Sequence, residues 1–215
     1  NITSRKAGTA KVSATLANGA KAIAPPITFN ADRQTAKIES VVVTGSKVTA
    51  PDGSGSISYV TTVKDANGNP VSGMILSWGS NINNVANPST TTDANGVSTQ
   101  TITGTQAGKV DLSVQLTSGN NAATPVKNSN GAEFVAVTPV MTNADLLLQP
   151  NMIIADGKQS TTLKFTLRDA NHNPVSGQES KIEVTQSVAN HVTVGAITES
   201  AVKGVYQATI TGTKE

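Results

Sequence analysis

Oxygen-bearing side chains fall at alternate positions in the run Asp65-Ala66-Asn67-Gly68-Asn69. A calcium loop begins this way, because a hard cation collects carboxylate and amide oxygens from one turn. The EF-hand pattern then requires Gly at its sixth position and Glu at its twelfth, and here those are Pro70 and Leu76. Asn and Asp also favour tight turns, since their side chains bond nearby backbone and tolerate left-handed conformations. The run therefore reads as a structural turn. Asp93-Ala94-Asn95-Gly96 reads the same way, with Asn-Gly as the hairpin pair.

The remaining reactive side chains give no constellation. His172 lies in a turn and His191 near a strand start, and both are expected to face solvent. No third group completes a Ser-His-Asp arrangement, and no further ligands stand at zinc spacing. There is no Cys, which excludes a thiol nucleophile and a disulfide scaffold. Neither a P-loop nor a strand–GxGxxG–helix unit occurs. Trp78 is the only tryptophan, and its place among Met74, Leu76 and Trp78 puts it on an inward face. Ser98 and Gln100 also fall on an inward face, and a buried amide must find partners. Gln100 is therefore expected near a sandwich end, bonded to backbone. Arg5 and Lys6 are a solvated basic pair. The expectation is no catalytic, cofactor-binding or metal-binding residue, with ligand-binding residues unassigned.

Composition narrows the class. The 215 residues are 37% hydrophobic, 14% charged and 3% aromatic, with a formal net charge of +2. Such balance gives no field to hold nucleic acid or an anionic membrane. So few aromatics supply no base-stacking platform. No apolar run approaches the ~18 residues of a membrane span. Asn1 reads as an internal position, so the lack of a signal peptide carries no message about secretion.

The elements that must carry these residues repeat. Residues 64–73 return as 168–177, a shift of 104, and Asp52-Gly53 returns as Asp156-Gly157. Residues 2–8 match 102–108, and Ile102-Thr103-Gly104-Thr105 returns as Ile210-Thr211-Gly212-Thr213. Periods near a hundred residues mean duplicated domains, not a solenoid. Within each copy the pattern has period two. Val110, Leu112, Val114 and Leu116 alternate with Lys109, Asp111, Ser113 and Gln115; Leu163, Phe165 and Leu167 do so with Thr162, Lys164 and Thr166; Val12, Ala14 and Leu16 follow suit near the start. Strands with one apolar face, separated by Asx-Gly turns, predict all-β tandem immunoglobulin-like antiparallel β-sandwiches. Trp78 and Phe165 are expected inside, and Lys109, Asp111 and Lys164 outside. Pro70 and Pro174 are expected just before strands.

The repeat unit is taken to begin after Phe134-Val135-Ala136-Val137, the counterpart of Phe29-Asn30-Ala31-Asp32. Residues 1–36 are then the C-terminal strands of a preceding domain, 37–137 a complete domain, and 138–215 a domain lacking its last strands. Head and tail are complementary pieces of one sandwich. Missing flanking sequence, or the head of a second molecule, is expected to complete the tail, with missing sequence favoured. Short linkers at 31–35 and 138–145 set the joints, the second stiffened by Pro139.

Three blocks together resemble the bacterial Ig-like repeats of the intimin/invasin family of outer-membrane adhesins. They are Lys64-Asp65-Ala66-Asn67-Gly68-Asn69-Pro70-Val71, Thr92-Asp93-Ala94-Asn95-Gly96, and Ala107-Gly108-Lys109-Val110 leading into a strand. The last copy departs from the pattern, with Glu199-Ser200-Ala201-Val202-Lys203-Gly204 for the second block and His172 for the first turn's Gly. The resemblance implies a non-enzymatic extracellular stalk segment that spaces and presents a tip for host-cell attachment. It implies a bacterial cell-surface location, with the outer-membrane anchor outside this segment. Expected partners are a host cell-surface protein and the neighbouring Ig-like domains of the chain, with no nucleic acid, no membrane insertion of this segment and no cofactor. Each sandwich would add on the order of 35–45 Å. The rival readings are a host-protein-binding module in its own right, or an accessory module of a secreted enzyme.

Overall fold

The computed structural model describes residues 1–82, 84–86, 88–118, 125–128, 131–142, 145–187 and 191–213. In chain order the strands are β1 (Gly8–Ala10), β2 (Ser13–Thr15), β3 (Lys21–Ile23), β4 (Ile27–Phe29), β5 (Lys37–Thr44), β6 (Val48–Thr49), β7 (Ser56–Lys64), β8 (Ile75–Ser80), β9 (Asn84–Val85) and β10 (Ser89–Thr91). There follow β11 (Val97–Thr103), β12 (Gly108–Lys109), β13 (Leu112–Leu116), β14 (Val126–Asn128), β15 (Glu133–Phe134), β16 (Leu146–Gln149), β17 (Ser160–Thr166), β18 (Val192–Val194), β19 (Thr198–Glu199) and β20 (Val205–Gly212). Among the described residues the helical elements are 3-10 turns, at Arg33–Thr35 and Glu179–Lys181.

The chain forms two compact units, one of residues 1–47, 56–103 and 109–132, the other of 48–55, 104–108 and 133–215. The first unit holds a two-sheet sandwich. One sheet runs β5-β7-β11-β9 and the other β10-β8-β13-β14, with every pairing antiparallel. Alternation builds the core. Ile57, Tyr59, Thr61 and Val63 of β7 are buried, as are Leu76 and Trp78 of β8 and Leu112, Val114 and Leu116 of β13. A one-residue slip would turn each of these sets to solvent, so burial fixes the register. Trp78 is 6% exposed, and Lys109 and Asp111 lie outside, as their strand positions require.

The head of this unit is open. β1 pairs with β4 and β2 with β3, yet none of residues 1–35 is buried. Val12 is half-buried, whereas Ala14 and Leu16 are exposed, Leu16 by 67%. Period two is present, and among the described residues no second sheet covers it.

In the second unit β16, β17 and β20 form an antiparallel sheet, with β18 and β19 both on the far side of β20. Phe165 and Tyr206 lie opposite each other in register, and their rings stack with centroids 5.7 Å apart. The Tyr206 hydroxyl donates to the Val175 carbonyl at 2.9 Å and accepts the Gln178 N–H at 3.2 Å. Phe165 is buried and Lys164 exposed, as expected. β6 and β15 pair in parallel, a departure from the antiparallel expectation. Pro174 forms a bridge with Arg168, and among the described residues no strand follows it before β18. Pro70 bridges Lys64, and β8 begins five residues later at Ile75. Both prolines thus close turns onto the preceding strand, where a missing N–H costs nothing, and do not open a strand.

Candidate functional site: a repeated side-chain latch

The run 65–69 folds as a turn because Asp65 organises it. Its backbone N–H donates to the Asn69 carbonyl at 2.9 Å, and the Gly68 N–H donates to the Asp65 carbonyl at 3.0 Å. The carboxylate accepts the N–H groups of Asn67 (2.9 Å), Asn69 (2.8 Å) and Asp32 (3.0 Å), and the Asn69 side-chain amide at 2.9 Å. Asp65 is 2% exposed. Burial works to raise its carboxyl, but the hydrogen bonds from Asn69, Asp32 and Asn67 outweigh it and hold it below its ordinary value. Four N–H donors on one carboxylate suit a turn. A cation would need those lone pairs turned outward.

Asn69 carries the turn's second role. Its Oδ1 accepts the Ala7 N–H at 2.8 Å and its Nδ2 donates to the Arg5 carbonyl at 2.8 Å. These groups flank Lys6, so the amide meets an N–H and a C=O as a paired strand would. The opposite orientation of the amide would set its oxygen against the Arg5 carbonyl and the Asp65 carboxylate. Pro70 contributes by restricting the residue before it to extended backbone. Beyond Ala7, Gly8 takes φ 146°, a conformation closed to side-chain-bearing residues, and the chain swings into β1.

The same arrangement recurs in the second unit. The Asp169 N–H donates to the Asn173 carbonyl at 2.9 Å, and the Asp169 carboxylate accepts the N–H groups of Asn171 and Asn173. Asn173 Oδ1 accepts the Ala107 N–H at 2.8 Å, and Nδ2 donates to the Thr105 carbonyl at 2.7 Å and to Asp169 at 2.9 Å. Asn69 is 8% exposed and Asn173 7%. Each such bond contributes about 0.5–1.5 kcal/mol net, and leaving a buried partner unmatched costs about 1–3 kcal/mol.

Other singled-out residues are dispersed. His172 is exposed in its turn with φ 64°, while His191 is half-buried, a correction to its expected solvent-facing place. The His191 carbonyl accepts the Thr213 N–H, so its backbone is tied to the end of β20. Trp78 Nε1 donates to Thr90 Oγ1 at 2.7 Å, and Thr90 Oγ1 lies 2.6 Å from Ser98 Oγ, which links the two sheets. Gln100 is 1% exposed and its Oε1 accepts the Thr101 N–H, so it does bond to backbone. It sits mid-strand in β11, however, not at a sandwich end. Arg5 and Lys6 are exposed, but the Arg5 carbonyl belongs to the latch.

Sequence reasoning saw the turns and missed what their second Asn holds. The signal available was co-repetition, because Ala7-Gly8 and Asn69-Pro70 recur together as Ala107-Gly108 and Asn173-Pro174. Arg33 was also missed. Its Nη1 and Nη2 donate to the carbonyls of Ser72 and Gly73, each at 2.7 Å.

All-β sheets with a repeated strand-to-turn latch define a tandem of Ig-like repeats. Residues 38–130 match the family model of the bacterial Ig-like domain (group 1), and residues 141–215 that of invasin, domain 3. Between them the two models account for most of the chain, which is similar to the tandem bacterial Ig-like repeats of the intimin/invasin family. It is 29% identical over 223 aligned positions to the inverse autotransporter adhesin YeeJ of Escherichia coli (strain K12), covering 99% of this chain and 9% of that protein. The crystal structure of invasin, a bacterial integrin-binding protein, shares its fold at a TM-score of 0.60 and 21% identity, over 97% of this chain and 40% of that one. The structure of InvD from Yersinia pseudotuberculosis does so at 0.61 and 22%, over 85% and 50%. The chain thus spans less than a tenth of the curated relative and at most half of these solved chains.

Proposed function

We propose that the chain is a non-enzymatic stalk segment of a bacterial surface adhesin. It spaces and presents a binding tip, on a protein held in the outer membrane through a region outside these residues. Residues 1–36, 37–137 and 138–215 are its end strands, complete repeat and partial repeat. The observation that carries this reading is the latch. A segment whose work is to hold its neighbours at a distance needs each repeat fastened to the strand before it, and the same side-chain amide does so twice. The likeness to an inverse autotransporter adhesin supports the same reading. The partners that follow are the neighbouring repeats, with host contact left to the tip.

The test is binding of the fluorescently labelled 215-residue chain to cultured host cells. The stalk reading expects no saturable binding above that of an unrelated Ig-like protein. Saturable binding abolished by a surface substitution would make the segment a binding module and overturn it.

A further inference from the structure

The two latches share a property that a turn alone does not need. Within each turn, the Asp carboxylate and backbone bonds already close the loop, at Asp65 with Asn67 and Asn69 and at Asp169 with Asn171 and Asn173. The side-chain amide of the last Asn is left over from that work. In both turns it is more than nine-tenths buried and directed at backbone 62 or 66 residues away in sequence. The Asp carboxylate holds the amide's nitrogen from the other side, so it cannot turn away without breaking two hydrogen bonds. An Asp at that position would form the turn equally well. It would bring no donor to the Arg5 or Thr105 carbonyl, and would set a second carboxylate against Asp65 or Asp169.

We infer that Asn69 and Asn173 are strand surrogates that close the joint between one repeat's turn and the chain segment that precedes it. The joint is held by a side-chain amide in place of a backbone ladder, so truncating that one side chain opens it without unfolding the repeat. The inference rests on the stalk reading, in which successive repeats keep a joint. The cell-binding assay tests that reading without touching the latch, so the two can fail separately.

Amide hydrogen exchange followed by NMR on the full chain tests it, with Asn173→Ala, which removes both the oxygen that accepts the Ala107 N–H and the nitrogen that donates to the Thr105 carbonyl, read at the Ala107 N–H. Protection of Ala107 is expected to fall about tenfold or more, in line with the loss of one to two hydrogen bonds. Protection in β17 and β20 should hold, which shows that the unit remains folded. Unchanged protection of Ala107 in that folded variant would mean Asn173 only forms the turn, and the inference would be overturned. Where that variant unfolds the second unit, Asn69→Ala in the first unit, read at the Ala7 N–H against protection in β7 and β11, is judged by the same two outcomes.

Discussion

The turns at 65–69 and 169–173 carry the same latch in different settings. The first fastens a segment that leads into β1 to β4, where no residue is buried. The second fastens residues 105–107, which continue from β11 of a full sandwich. The first turn has additional fastenings from its linker. The Asp32 N–H reaches Asp65, the Ala66 N–H donates to Thr35 Oγ1, and Arg33 spans the Ser72 and Gly73 carbonyls. The second turn has instead a hydrogen bond from Asn171 Nδ2 to the Pro51 carbonyl and one from the Val140 N–H to the Arg168 carbonyl. The shared part is the Asp–Asn–Pro unit, and the surroundings are free to vary. A repeat can therefore be copied with its joint, while local straps adjust to whatever that joint must hold.

The largest expected effect contrasts the two cores. Trp78 is sealed between two sheets, whereas Ile182, its counterpart one repeat on, lines an open groove with Leu163, Phe165 and Met141. Trp78→Ala should cost about 3–5 kcal/mol, the range of large-to-small core changes. Ile182→Ala should cost less than about 2 kcal/mol, because a half-open site loses less burial. Urea melts of both variants check this, and equal losses would remove the distinction between the two units.

Glycine provides the next comparison. Gly96 and Gly204 have φ of 70° and 74°, and each presses its Cα face against a proline-bearing turn. A Cβ at Gly204 would lie 2.8 Å from the Leu167 carbonyl and 2.9 Å from Pro174 Cβ; at Gly96 it would lie 2.9 Å from the Val71 nitrogen. Left-handed backbone costs a side-chain-bearing residue about 1–2 kcal/mol. Overpacking adds about 1–3 kcal/mol. Alanine at either position should therefore destabilise its own unit by about 2–5 kcal/mol, read as a loss in thermal melts. A neutral result at one position alone would show that the two turns seat differently.

A pH effect separates the tyrosines. Burial chiefly, and the Asp111 carboxylate secondarily, push the Tyr59 hydroxyl up to about 12. The folded state then favours the neutral phenol. That contribution is intact below the ordinary value of 10.0 and is lost as the pH rises through about 12. Tyr59→Phe should flatten alkaline destabilisation of the first unit in that window, while the second unit keeps its own dependence through Tyr206, raised chiefly by burial. Circular dichroism melts between pH 9 and 12 follow it.

The smallest effect lies in the turns themselves. His172 holds φ 64° where the first turn has Gly68 at 81°. His172→Gly should stabilise the second unit by up to about 1 kcal/mol, because glycine takes this backbone without strain, less its own entropy cost. A loss of stability would mean that the imidazole makes a contribution of its own.

Much of this fold was legible because β-strands write their faces in period two. Trp78, Phe165, Leu112 and Val114 are inside where alternation placed them. At Ala14 and Leu16, both exposed, alternation shows which face could be covered and not whether a sheet covers it. Pro174 misled for a related reason. Proline excludes a central ladder position equally well before a strand and at the close of a turn. The latch was half legible. Asx chemistry announced the turn, but the partner of a side-chain amide depends on which distant backbone groups are left unpaired, and sequence spacing does not carry that.

The most direct test needs no substitution. In NMR spectra of the intact chain, the side-chain NH2 protons of Asn69 and Asn173 should exchange with solvent far more slowly than those of exposed asparagines such as Asn30 and Asn95. Two persistent side-chain amides, assigned to these positions and showing contacts to residues 5–7 and 105–107, are the predicted result. Exchange of both at the rate of Asn95 would contradict the account, because an amide open to water cannot be what holds the joints closed.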